Sequence, residues 1–287
     1  MAGLVGLEGN EKKQEEWEVS QLSLRINLVT CNSEKWQDLP EFTGLTYVGG
    51  IDISFIKNSN VRLLGNSMID GLPEITKCRT VNSPRARKML VDAFVALVVI
   101  QFPSLEVVYR QCEAVKLKEP YIPGFLAFRE VDHCIVMLKN LQKVKPEFYP
   151  QAVFLDGNGL LHPRKFGLAC HLGVKMDVPS IGCAKNLFQM ENIARDENHK
   201  NQIDSLKYAG DYFKIFDKDG DVLGAGLKTV DRSFKPIYVS IGHKFDLETA
   251  CRLVTKCSKY REPEPTRWAD IFSREVIRKL PCESIEN

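Results

Sequence analysis

Residues 47–55 read Tyr47-Val48-Gly49-Gly50-Ile51-Asp52-Ile53-Ser54-Phe55, an apolar, β-branched run with an aspartate set inside it. Such residues fit a pleated, half-buried backbone, so the run predicts a strand. A carboxylate within it is costly to bury unless it is hydrogen-bonded, paired or held by a cation. Two more acids stand in comparable settings: Glu130 ends Gly124-Phe125-Leu126-Ala127-Phe128-Arg129, and Asp156 follows Ala152-Val153-Phe154-Leu155. Any one of them is also readable as a turn or cap residue at the end of a strand. Three together predict one metal-binding centre, and oxygen donors with little histidine or cysteine nearby suit magnesium or manganese better than zinc.

Working outward from this strand, Leu97–Ile100 and Leu105–Tyr109 read as two further strands around a Phe102-Pro103-Ser104 turn. Cys134, Ile135, Leu138 and Leu141 recur at helical spacing, so a helix is expected after Glu130. Strands at 153–156 and 180–184 flank a helix at 166–174, which gives a βαβ unit with acids at strand ends. The segments 212–216 and 222–227 form a hairpin around Asp217-Lys218-Asp219-Gly220-Asp221; that run lacks the ligand spacing of an EF-hand and reads as a turn. A helix is expected from Asp246, and a last one after Pro263 and Pro265. Together these elements predict an α/β fold, a mixed central sheet flanked by helices, in one domain over about 16–281. Residues 1–15 are expected to be frayed before a helix at 17–31, and 282–287 to form a tail.

Composition sets wide bounds. A chain of 287 residues, 44% hydrophobic, can bury a substantial core. Its formal charge of +2 supplies no whole-molecule basic field, so any surface for nucleic acid must be local. Nine cysteines without a CxxC pair, and no membrane-length apolar run, point to reduced packing cysteines in the cytoplasm or nucleus and to no membrane partner.

The stretch Tyr47–Phe55 is followed by PYIPGFLAFRE (Pro120–Glu130), DGNGLLHPRKFGLACHLG (Asp156–Gly173), VPSIGCAK (Val178–Lys185) and VSIGH (Val239–His243). In order and spacing these strings resemble the successive motifs of the endonuclease V family, inosine-directed nucleases, in a eukaryotic form and over roughly 15–280. The resemblance implies the ribonuclease H-like version of the mixed sheet. It also implies a monomeric, magnesium-dependent endonuclease, with manganese able to substitute, acting on inosine-containing single-stranded RNA and, second to it, DNA. Cleavage is then expected at the second phosphodiester bond 3′ to inosine, leaving 5′-phosphate and 3′-hydroxyl ends. Family position makes Asp52 the central ligand, with Glu130 and Asp156 beside it and Asp231 as a fourth acid. Lys185 is placed on a phosphate oxygen or the attacking water, where an ordinary strand-end lysine would snorkel to solvent. His243 is placed on a water or phosphate, although a lone histidine also serves structure alone.

The same resemblance makes Pro120, Tyr121, Ile122 and Pro123 a wedge beside an everted base, the alternative being a rigid turn with Tyr121 packed on the core. His162 is placed near that base. Gly124, Gly157, Gly159 and Gly167 are expected to let backbone groups reach the purine edge. The segment Asn58–Lys88 departs from the family pattern and reads as an inserted exposed loop. A non-catalytic inosine-RNA binder on the same fold stays open as a rival, because displacement of the first strand would impair chemistry more than binding; a hybrid-cutting ribonuclease H-type enzyme fits the Pro-Tyr-Ile-Pro string less well.

Overall fold

The apolar run at 47–55 forms β1 (Tyr47–Phe55), with the expected bounds. The computed structural model describes residues 2–38, 40–56, 62–63, 89–120, 122–191 and 193–279, with side chains from residue 11 onward except at 62–63 and 89–90. Ahead of β1 lies α1 (Ala2–Arg25), and after it come β2 (Arg62–Leu63), β3 (Met89–Leu90), β4 (Ala93–Gln101) and β5 (Glu106–Val115). Next follow α2 (Leu126–Val144), β6 (Ala152–Leu155), α3 (Leu168–Met176), β7 (Ser180–Ala184) and α4 (Glu197–Ser205). The chain continues through β8 (Tyr212–Phe216), β9 (Val222–Leu227), β10 (Ile237–His243), α5 (Leu247–Lys256) and α6 (Glu264–Arg278).

Eight strands make one mixed sheet in the order β5-β4-β1-β6-β7-β10-β9-β8, while β2 pairs with β3 among the described residues. The strands β5, β4 and β1 are an antiparallel meander, β1, β6 and β7 run parallel, and β10, β9 and β8 return antiparallel. This is the mixed sheet flanked by helices that the sequence predicts. Alternation along β4 shows how both faces are covered. Phe94, Ala96, Val98 and Ile100 join α5 and α6 residues in one core, and Ala93, Val95, Leu97 and Val99 join α2 and α3 residues in the other. Because β4 is apolar on both faces, it does not by itself set the register. The register is held by β1, where a one-residue slip would turn Asp52 into the face that now buries Ile51.

Glu130 lies within α2, not at a strand end as its apolar neighbours suggested. Ala127, Glu130, Val131 and Cys134 recur at helical spacing and are all buried, so the helix starts before the acid and carries it on its core face. The N-terminus differs too: α1 already runs from Ala2, where fraying was expected. Several of its described side chains are tied down, with Trp17 stacked on Phe128 at 4.9 Å, Lys13 ion-paired to Glu119, and the buried Gln21 donating to the Phe166 carbonyl at 3.1 Å. The helix α4 lacked an apolar period and had no counterpart in the sequence reading. The expected loop at 58–88 lies outside the described residues, apart from β2, and so does the tail at 282–287.

Candidate active site

Strand register brings two of the acids together. Ile51 of β1 pairs with Leu155 of β6, so the next residue on each strand, Asp52 and Asp156, emerges at the same sheet edge, where the Asp156 N–H donates to the Ile51 carbonyl at 3.3 Å. Lys185 follows β7 at that edge and reaches Asp156 at 3.1 Å. Glu130 arrives from α2; with Asp52, Asp156, Arg129 and Phe55 it lines a cleft of about 410 Å³. From the opposite face α6 adds Asp270, whose carboxylate stands 3.8 Å from the Lys185 ammonium, and Glu262 just before α6 stands 3.2 Å from it.

Gly50 explains how α6 comes so close. A Cβ at this position would lie 2.1 Å from the Pro265 carbonyl carbon and 2.5 Å from the Thr266 nitrogen, so only glycine lets the start of α6 rest on β1. Farther along the same contact, Ser54 Oγ and Ser273 Oγ are 2.7 Å apart, and both hydroxyls face the Asp52 carboxylate, at 3.2 and 3.5 Å.

The acids are crowded. Asp52 is 7% exposed and Glu130 5%. Burial, followed by repulsion from Asp156 and Asp270, pushes the Asp52 carboxyl up to about 7 against the pull of Lys185, and Asp52 and Asp156 are close enough to share a proton. Burial, then the nearby Asp52, pushes Glu130 up to about 8, with Arg129 opposing. For Lys185 burial works against the charge, but Asp156, Glu262 and Asp270 outweigh it and keep the ammonium protonated. Among the described residues no three acids, histidines or cysteines already stand at the spacing of a cation cage. The fit to a divalent cation therefore rests on hard oxygen donors, and on an excess of carboxylates that Lys185 and Arg129 do not neutralise.

The loop before α2 is tied to the loop after β6. Gly124 has φ +80, and its carbonyl accepts from His162 Nε2 at 2.9 Å and from the Arg164 guanidinium. His162 Nδ1 accepts the Arg164 N–H at 3.2 Å, so Nε2 carries the proton, and burial holds the ring neutral with a pKa lowered to about 4. Arg164 also donates to Gln21 and Glu18 of α1 and lies 4.0 Å from the Phe125 ring centroid. His162 is thus a brace for the loop carrying Pro120, Ile122 and Pro123; Tyr121 lies outside the described residues. Pro120 and Pro123 are exposed and Ile122 is half-buried.

The glycines differ in their surroundings. A Cβ on Gly159 would meet the Ile241 carbonyl oxygen at 2.0 Å, and one on Gly167 the Asn158 oxygen at 2.3 Å. These two are glycine because the protein's own backbone fills the space that a side chain would need. Gly157 is different, with only ordinary contact to Leu168 at 3.5 Å.

Two expected residues are not brought to the cleft. His243 pairs across from Ser180 at the start of β7, whereas Lys185 follows the end of that strand, roughly 15 Å away at strand rise. Its Nδ1 accepts the Val29 N–H and its Nε2 faces Asp177 at 3.4 Å, so it joins the segment after α1 to β10. Asp231 is exposed beyond β9 and accepts the Ala209 N–H at 2.7 Å, closing a loop. Asp270 is the fourth acid of the cluster. It escaped the sequence reading because it sits on an amphipathic helix, where an acid normally belongs to the solvated face. Arg129 was legible, being adjacent to Glu130 in a quoted string.

The family described as Endonuclease V matches residues 81–271. The chain is 41% identical to human endonuclease V over 263 residues, covering 92% of this chain and 83% of the human protein, and 42% identical to the mouse protein, covering 92% and 69%. Its structure superposes on the catalytic domain of human endonuclease V with a TM-score of 0.82 over 94% of this chain and 99% of that one. It also resembles Ciona intestinalis endonuclease V in complex with a 24mer DNA containing an inosine followed by a ribo-adenosine, with a TM-score of 0.75 and 28% identity over 94% of this chain and 100% of that one. With a match of this extent in sequence and fold, the chain belongs to the endonuclease V family of nucleases.

Proposed function

We propose that the protein cuts inosine-containing single-stranded nucleic acid, RNA ahead of DNA, in a magnesium-dependent reaction at the second phosphodiester bond 3′ to inosine, leaving 5′-phosphate and 3′-hydroxyl ends. The observation that carries this reading is the convergence of Asp52, Glu130, Asp156 and Asp270 on one cleft edge with Lys185 among them. Asp52, Asp156 and Asp270, with Glu130 facing them, would hold the cation, magnesium or manganese. Once bound, the cation supplies neutralisation of the phosphate and a more acidic water. Lys185, held as the ammonium, offers a positive charge to a phosphate oxygen and is no proton acceptor. Arg129 reaches the same cleft and supplies a second cation.

The wedge assignment is supported by the brace on Gly124, which ties the end of the loop carrying Pro120, Ile122 and Pro123 to His162 and Arg164. The Ciona relative was captured with inosine followed by a ribo-adenosine, and a 2′-hydroxyl at that position is what separates RNA from DNA. The test is cleavage of matched single-stranded RNA and DNA carrying one inosine or one guanosine, with magnesium or with chelator. Magnesium-dependent cutting of the inosine strands alone, one nucleotide beyond the base, is the expected result. Tight binding of the inosine strand without cutting would mark a binder.

The crowded acids also set a pH dependence. The folded carboxyls of Asp52 and Glu130 hold protons up to about 7 and 8, against ordinary values of 3.8 and 4.5. The folded state therefore binds the extra protons. Their contribution to stability is full below about pH 4 and is lost as pH rises through the folded values. Without divalent cation, Tm is expected to fall from pH 5 to pH 8 more steeply in the wild type than in Asp52→Asn/Glu130→Gln. Magnesium should raise the wild-type Tm more at pH 8 than at pH 5. Parallel Tm profiles for the two proteins would show that these acids do not carry the effect.

A further inference from the structure

A groove of about 250 Å³ begins at Lys185 and is lined by five cationic side chains, Lys185, Arg195, Lys200, Lys235 and Arg261, against the single acid Asp196. Asp196 is engaged already, accepting the His199 N–H as the N-cap of α4. Among the described residues Arg195 and Lys235 have no acidic partner, and the one acid near Lys200 is Glu197 at 4.0 Å. Arg261 spends its donors on the Pro236 and Lys185 carbonyls, which ties the groove floor to the catalytic edge. A second groove shares Lys235 and Arg261 and continues to Arg232, Phe234 and Tyr260. Phe234 is 94% exposed, and the Arg232 guanidinium lies 4.8 Å from the Tyr260 ring centroid.

In a chain of net charge +2, Lys185 is held by Asp156, Glu262 and Asp270, but Arg195 and Lys235 farther along this path are not balanced by an acid among the described residues. Uncompensated cations beside exposed aromatic rings are the chemistry of a single-strand track, where phosphates meet Lys and Arg and bases stack on π-faces. We propose that this path, from Lys185 over Arg195 and Lys235 to Phe234, is a second contact for the single-stranded nucleic acid, holding the strand beyond the reacting phosphate. The proposal rests on the nuclease reading for its direction, since Lys185 belongs to both the cleft and the groove. An acidic protein surface would use the same cations, but it would not require continuity with the cleft or a bare phenyl ring.

The test is separable from cleavage. Affinity for an inosine-free single-stranded oligonucleotide, without divalent cation, is measured against salt concentration for the wild type, Arg195→Ala/Lys235→Ala, Phe234→Ala and the control Lys139→Ala/Lys143→Ala on α2. All five replaced side chains are exposed, so folding is not at stake. Each lost phosphate contact reduces the log–log salt slope by about 0.7 on single strands, so Arg195→Ala/Lys235→Ala should lower it by about 1.4. Phe234→Ala should weaken binding by roughly fivefold or more with the slope kept. The α2 control should keep the wild-type slope. A wild-type slope in Arg195→Ala/Lys235→Ala, or an equal drop in the α2 control, overturns the track. Failure of the wild type to cut inosine strands would overturn the proposed reaction and leave the slope comparison standing.

Discussion

Asp52→Asn is expected to lower strand cleavage by at least about 10³-fold while changing affinity for an inosine strand, measured without divalent cation, by less than about threefold. Asparagine keeps the shape of the side chain and can still meet the Ser54 and Ser273 hydroxyls that face Asp52 now. What it removes is the charge at the point where Asp156 and Asp270 converge. The same change relieves repulsion in the cation-free protein, so its Tm at pH 8 should rise as its activity disappears, the opposite signs expected where stability is given up for chemistry. Single-turnover cleavage, binding and Tm measured on one preparation check all three. Cleavage at the wild-type rate would remove Asp52 from the reaction.

Gly50→Ala should be a severely damaging small substitution. The added methyl would stand 2.1 Å from the Pro265 carbonyl carbon and 2.2 Å from its oxygen, both backbone atoms that cannot rotate aside. Either α6 lifts from β1 or β1 distorts, at a cost on the order of 3 kcal/mol, the upper part of the range for overpacking. Because α6 carries Asp270 and Ser273, any lift also widens the acid cluster, and cleavage should fall more than the fraction of folded protein does. Gly49→Ala is the control. Its methyl meets the Pro150 ring at 3.0 Å, a side-chain contact on the other face of the strand. Equal Tm and equal cleavage in the two variants would show that the contact between α6 and β1 is not what holds the cluster together.

Much of this arrangement is legible locally. β1, β7 and the β8–β9 hairpin have the bounds that their apolar runs and turn residues imply, and Asp246 caps α5 as its position suggests. Strand pairing needs no more than such runs and short connections, because side-chain alternation and turn chemistry act over a few residues. Asp52, Asp156 and Lys185 could be singled out for the same reason: a charged residue inside an apolar strand or just past its end is visible without knowing what lies opposite. Glu130 was visible as well, but its helix was not seen to begin before it, since a short apolar stretch fits either period.

The fourth acid was a different kind of question. Asp231 and Asp270 are both acids of ordinary appearance, and nothing in their neighbours ranks one above the other as a partner for Asp52. The choice falls to Asp270 because Gly50 lets α6 lie against β1, and that contact joins segments far apart in the chain. His243 was misplaced on similar grounds, since a strand end can open on either edge of a sheet and only the antiparallel return of β10 sends it away from Lys185. That Gly159 and Gly167 make room for the Ile241 and Asn158 backbone is likewise a fact of the fold, which their neighbours in the sequence do not reveal. Short-range periodicity and turn chemistry were enough to reveal most strands of the large sheet, the hairpin and the acids Asp52, Glu130 and Asp156. Which distant side chains complete the cluster was decided only by tertiary packing, because backbone-to-backbone distances across a core leave no periodic trace in either segment.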